Sequence, residues 1–128
     1  MARFPKMCDL IQTFETQHVS DIPATVRQQM EALQLQKVIR PGQTVAIPAG
    51  SRGIANIGLI LREIAAYFTS IGAAPFIVPA MGSHGGGTAD GQLRMLRSLG
   101  VTEDSVGVSI RATMETVIVA QTSNGLPV

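Results

Sequence analysis

Several things are scarce in this sequence, and each scarcity excludes something. There is one cysteine, Cys8, so an intrachain disulfide is impossible and there is little basis for a cysteine-based zinc site. Charged residues make up 15% of the chain, against about 25% in an average globular domain. So little charge suggests a face buried against another subunit or against further chain. Neither sign of charge dominates: ten Lys plus Arg face nine Asp plus Glu, a net charge of +1. That balance removes the electrostatic case for a nucleic acid or an acidic membrane surface as partner. No apolar run reaches the roughly 18 residues a membrane-spanning helix requires. Residues 1–10 carry Arg3, Lys6 and Asp9 and have no apolar stretch of signal-peptide length, so the expected compartment is the cytoplasm.

What is present suffices for a core. The chain has 128 residues, 45% of them hydrophobic, with a mean hydropathy of +0.26, and a domain of that size needs no covalent or metal staple. Residues 1–14 show no clear period, with a short strand expected near Leu10 and Ile11. Asp21 or Ser20 caps a helix with Pro23 in its first turn. Val26, Met30, Leu33 and Val38 carry that helix to about Lys37, and Arg40-Pro41-Gly42 stops it. Residues 44–47, Thr-Val-Ala-Ile, read as a strand covered on both faces, being nearly all apolar. Apolar residues from Ile54 to Ile71 recur at helical spacing, and Gly72 is a left-handed C-terminal cap. Residues 75–78 form a second apolar strand. Thr88 caps a third helix with Leu93, Leu96 and Leu99 inward and Gly100 at its end. A turn is expected at residues 102–105 and a third strand at 116–120. Asn124-Gly125 then turns the chain into a further strand at 126–128. The alternation predicts one α/β domain over residues 1–128, Rossmann-like and three-layered, with a mostly parallel sheet. The last strand has barely begun at Val128, so the expectation is a fragment of a longer protein; an edge hairpin of a complete small domain is the alternative.

Two loops share their wording. Ile47-Pro48-Ala49-Gly50-Ser51-Arg52-Gly53 and Val78-Pro79-Ala80-Met81-Gly82-Ser83-His84-Gly85 both run apolar-Pro-Ala-Gly-Ser-basic-Gly, with one inserted Met. They stand about one βαβ unit apart. In a parallel sheet they emerge at the same edge, where ligands of open α/β sheets bind. Ser51, Arg52, Ser83 and His84 are thus candidates for one crevice; the plainer alternative is that the glycines only permit tight turns. Gly85, Gly86 and Gly87 leave backbone amides free to face a bound group ahead of a helix N-terminus, which favours an anion. The loop is neither a Walker A motif, since Thr88 stands where lysine is required, nor G-x-G-x-x-G, since Asp90 fills its last position. The helix start favours a neutral His84 imidazole, able to accept a proton. Arg52 offers a planar fork for a carboxylate, or else an ion pair to a neighbouring acid. His18 reads as a solvated surface residue, Asp90, Glu103 and Asp104 as first-turn or solvated acids, and Cys8 as inert.

The segment from Val45 to Gln92 resembles the lactate racemase family that uses a nickel pincer nucleotide. Gly50-Ser51-Arg52-Gly53-Ile54-Ala55-Asn56 and Pro79-Ala80-Met81-Gly82-Ser83-His84-Gly85-Gly86 carry the likeness. It continues more weakly through Ser98-Leu99-Gly100-Val101 and Gly125-Leu126-Pro127-Val128, spanning most of this chain and the first third of a family member. The resemblance implies two α/β domains with cofactor and substrate between them. It implies hydride removal from the α-carbon of a 2-hydroxy acid, with return to either face. His84 would be one of two histidines moving the hydroxyl proton, Arg52 with Ser51 would bind the substrate, and Gly82, Ser83, Gly85 and Gly86 would bind the cofactor. The family's second histidine, cofactor lysine and nickel-binding histidine would lie beyond Val128, so no metal ligand is expected here and the chain alone is expected to be inactive, without bound cofactor. Where the family has an acid at the start of the arginine loop, this chain has Ala49-Gly50-Ser51, so the resemblance carries over a 2-hydroxy acid as substrate class without singling out lactate. Expected partners are that acid, the remainder of the polypeptide and, as an option, further copies of the chain. A non-catalytic module for a phosphate-bearing ligand and an oligomerisation domain are the competing readings; the latter would bury Arg52 and His84 in ordinary ion pairs.

Overall fold

The structure is a computed structural model and describes residues 7–15 and 18–128. Residues 1–6 of the unpatterned N-terminal stretch lie outside the described residues. Leu10 and Ile11 form no strand and are exposed.

Helix α1 spans Ile22–Ala32, with the Asp21 side chain accepting from the Ala24 N–H at 2.9 Å and proline in the first turn. It stops five residues short of Lys37 because Gln34 turns left-handed, at φ +51°. That reversal swings Leu35 back onto the core, in a 3₁₀ turn over Leu35–Lys37.

Strand β1, Thr44–Ala49, helix α2, Ile57–Ser70, and strand β2, Ala74–Pro79, make a parallel βαβ unit. The register runs from Thr44 opposite Ala74 to Ala49 opposite Pro79. Backbone bonds extend it at both ends, from Ala74 N to Gln43 O and from Ala80 N to Ala49 O, each 2.8 Å. β1 is covered on one face only, contrary to expectation. Val45, Ile47 and Ala49 point inward, while Ala46 and Pro48 are apolar in type yet exposed. Helix α2 starts at Ile57 rather than Ile54, since left-handed Gly53 and Asn56 keep the preceding loop out of helical geometry. Ile54 is consequently exposed. Gly72, at φ +83°, ends the α2 turn as expected.

Helix α3, Ala89–Ser98, is capped by Thr88, whose hydroxyl accepts from the Gly91 N–H at 3.1 Å. Leu96 is fully buried and Leu93 half-buried, but Leu99 is exposed, a correction to its inward assignment. Residues 102–105 are more than a turn. Thr102 and Ser105 form a reciprocal capping box on a short helix α4, Glu103–Val106, that plants Val106 in the core.

The third segment beside β2 is not residues 116–120. It is Ile110, bridged in parallel to Ile77 by Ile77 N to Ser109 O at 2.9 Å and Arg111 N to Ile77 O at 2.8 Å. Residues 116–120 instead fold back on 126–128 about Asn124-Gly125, through a Gln121–Pro127 antiparallel bridge. Val117, Ile118 and Val119 stay exposed there. The architecture of the described residues is mixed α/β: a two-stranded parallel sheet and four α-helices around a core centred on Ile77, Leu96, Val101 and Val106.

Candidate functional site

Because β1 and β2 are adjacent and parallel, the loops that follow them leave the sheet at the same edge. The first loop presents Ser51, half-buried, and Arg52, exposed. The second passes through Gly82 and Ser83, both exposed, into a 3₁₀ turn over His84–Gly87 that begins with half-buried His84. The two loops meet at that imidazole. Nδ1 of His84 lies 2.5 Å from Oγ of Ser51, and Nε2 lies 2.5 Å from a terminal guanidinium nitrogen of Arg52. Three side chains from matched loops thus form one chain, Ser51–His84–Arg52. Ser83 takes part through its backbone, its carbonyl accepting from Gly87 N at 3.1 Å.

The glycines of the second loop divide into two kinds. Gly82, Gly86 and Gly87 have positive φ and nothing within 4 Å of where a Cβ would stand, so their outer faces are open. Gly85 has φ +65°, and a Cβ there would come within 2.3 Å of the Gly91 backbone. Its glycine is demanded by close packing of the loop on the first turn of α3. Gln92, buried, donates from Nε2 to the Gly82 carbonyl at 2.8 Å and fastens the start of the loop. Sequence reasoning missed Gln92, although its spacing from Leu96 places the two on one helix face.

The remaining candidates separate as follows. Among the described residues the ion pairs are Arg27–Glu63 and Arg62–Glu63, at 3.2 and 3.4 Å, and neither includes Arg52. Arg52 instead contacts the His84 ring. Glu63 itself is buried and was not singled out in the sequence. Glu103 is exposed but not merely solvated: its Oε1 accepts from Ile110 N at 2.8 Å and pins the third parallel segment. Asp90 and Asp104 are exposed first-turn acids of α3 and α4. His18 is exposed, on an apolar groove formed with Val19, Ile22, Val26 and Ile60, and Cys8 is exposed. No group of three or more His, Cys, Asp or Glu among the described residues is placed to hold a metal ion. No helix among them is long and apolar enough to cross a membrane.

Compared with known proteins, the chain matches no family model, no curated protein and no solved structure.

Chemically, the cluster offers three things. Arg52 has five N–H donors and spends one on His84, leaving a fork for an anion. The imidazole can accept a proton on one nitrogen and donate from the other. The open glycine faces give room for a phosphate or carboxylate beside the α3 N-terminus.

Proposed function

We propose that this chain supplies the substrate-binding and proton-transferring groups of a 2-hydroxy acid racemase-like enzyme that uses a nickel pincer nucleotide. On this reading the βαβ unit is part of a Rossmann-like three-layer domain in a larger cytoplasmic protein, and further polypeptide provides the remaining catalytic groups. The observation that carries the reading is the Ser51–His84–Arg52 cluster at the carboxyl ends of β1 and β2. A 2-hydroxy acid presents a carboxylate and, one carbon away, a hydroxyl whose proton must leave as the α-hydrogen departs. A guanidinium next to an imidazole matches that pair of demands in type and in spacing.

The fit of the nucleotide can be examined on this chain only at its phosphate. The open faces of Gly82, Gly86 and Gly87 would receive a phosphate, whereas a side chain at any of the three would stand in its way. Ser83, exposed in the same loop, would add a hydroxyl donor. Gly85 belongs to the cradle by shaping it against α3 rather than by facing the ligand. When bound, the nickel pincer nucleotide supplies the hydride acceptor. Arg52 would bind and orient the carboxylate. His84 would take the hydroxyl proton on Nε2 and give it back. A module that binds a phosphate-bearing ligand without catalysis would use the same open glycines but would have no need of the imidazole.

That difference supplies the test. The full-length gene product is purified, its nickel and bound nucleotide are measured, and interconversion of the two enantiomers of small 2-hydroxy acids is followed. The expected outcome is turnover that falls roughly 10²–10⁴-fold in His84→Ala, the usual weight of a general acid–base group. Arg52→Ala should chiefly raise KM if the arginine holds ground and transition states alike. Phosphate-ligand binding without turnover, undiminished in His84→Ala, would instead establish the binding module.

A further inference from the structure

The two neighbours of His84 fix which of its nitrogens carries the proton. Arginine has donors only, so the nitrogen facing Arg52 at 2.5 Å must be an acceptor. That nitrogen is Nε2. A neutral imidazole carries its single proton on the other nitrogen, so Nδ1–H donates to Ser51 Oγ at 2.5 Å. The opposite tautomer would set an Nε2–H against an N–H of Arg52 and lose that bond. A doubly protonated ring would do the same and add a second positive charge. Only one arrangement satisfies both contacts, and the Ser51 hydroxyl is the group that accepts the Nδ1 proton.

From this we infer that Arg52 is the positioning residue for His84: a guanidinium that can only donate, placed against Nε2, holds the ring as the Nδ1–H tautomer, so that Nε2, on the Arg52 side, is the basic nitrogen of the site. The importance for catalysis rests on the proton-transfer reading of His84, but the tautomer itself does not. The Ser51 hydroxyl, which can donate or accept, follows by accepting from Nδ1–H. Ser51 is half-buried and stands one residue before Arg52 in the other loop, so both ring contacts come from adjacent residues. The parallel register of β1 and β2 holds the two loops together.

The experiment uses this chain, labelled with ¹⁵N in its histidines, at about pH 8. Long-range proton–nitrogen correlation spectra distinguish the tautomers by which ring nitrogen is protonated, and the same spectra show whether the ring carries one proton or two. His84 is assigned by loss of its signals in His84→Ala. The expected result is Nδ1 protonated and Nε2 bare. In Arg52→Ala the ratio of tautomers should shift roughly two- to tenfold toward Nε2–H, the weight of one net hydrogen bond. Arg52→Lys, which keeps a donor-only cation, should retain the original pattern. Backbone amide signals of Ile77 and Leu96 serve as the check that the core is intact. Should Arg52→Ala fail to fold, Ser51→Ala tests the same inference from the other side: the ring loses its Nδ1 partner, keeps Arg52 and should remain mainly Nδ1–H. A wild-type ring protonated on Nε2, an Arg52→Ala tautomer ratio identical to wild type, or a Ser51→Ala ring mainly protonated on Nε2 overturns the inference. An inactive full-length protein with the Nδ1–H tautomer intact would defeat the racemase reading and leave this one standing.

Discussion

At the scale of single residues, glycine does two different jobs within one loop, and their magnitudes separate them. Gly91 sits in the first turn of α3, where Gly→Ala ordinarily gains about 1 kcal/mol of helix stability. Here a Cβ would stand 1.7 Å from the Gly85 carbonyl oxygen, a contact no rotamer can relieve. Steric cost therefore wins, and Gly91→Ala should lose about 3 kcal/mol, the upper range for forcing atoms into a packed site. Gly86→Ala meets only open space, and its cost is the left-handed backbone alone, about 1–2 kcal/mol. Urea unfolding of the two variants checks the order. A stabilised Gly91→Ala would mean that the loop does not pack on α3 as described. Glu63 makes the complementary point for charge. Its carboxylate is buried and shared by Arg27 on α1 and Arg62 on α2. Arg27 is largely exposed, so Arg27→Ala should cost only about 1 kcal/mol, with Arg62 still beside the acid. A loss of several kcal/mol would show instead that Arg27 alone neutralises Glu63.

At the scale of elements, what decides a strand is its neighbour rather than its composition. Residues 116–120 have the stronger strand composition, yet Val117, Ile118 and Val119 are 80%, 69% and 77% exposed in a hairpin away from the sheet. Ile110, flanked by Ser109 and Arg111, makes the bridge to β2. The two should respond oppositely to substitution. Ile118→Lys should change stability by no more than about 0.5 kcal/mol, as an exposed position does. Ile77→Ala, at 0% exposure beneath that bridge, should cost about 2–5 kcal/mol. Chemical denaturation of both measures the contrast, and a large loss in Ile118→Lys would put the hairpin back into a core. This pair also marks where the sequence stops being informative. β1, β2, α2, α3 and the caps at Asp21, Thr88, Gly72 and Gly100 are legible because hydrophobic period, capping side chain and glycine agree locally. α4 is too short to have a period. The Ser109–Arg111 bridge is specified by Ile77 and Glu103, residues far away in sequence. The site follows the same division. Ser51, Arg52 and His84 were marked by a repeated loop phrase, whereas the Gln92 clamp and the Gly85–Gly91 approach depend on close contact between segments, which no local pattern encodes.

At the scale of the whole molecule, the parallel crossover converts a repeated phrase into a pair of facing side chains. Arg52 and His84 are 32 residues apart in the chain and in direct contact in space. Without a ligand, each occupies the other's polar group. An arriving carboxylate competes with the imidazole for the Arg52 fork. It should win, because a hydrogen bond between two charged groups is roughly twice as strong as one to a neutral acceptor. The fork can also grip both carboxylate oxygens, which the single Nε2 cannot match. On the proposed function, binding would then uncover Nε2 as the hydroxyl of a 2-hydroxy acid comes within reach of it. Glycolate, the smallest 2-hydroxy acid, is the probe. Titrated into the chain, it should bind in the millimolar range, about 4 kcal/mol, and shift the His84 Nε2 resonance as Arg52 departs. Arg52→Ala should abolish saturation. Arg52→Lys should weaken it without restoring the shift, since an ammonium carries the charge but not the planar fork. Saturable binding of equal strength in Arg52→Ala would mean that the carboxylate is held elsewhere, and that the contact between Arg52 and His84 is a structural link between two loops.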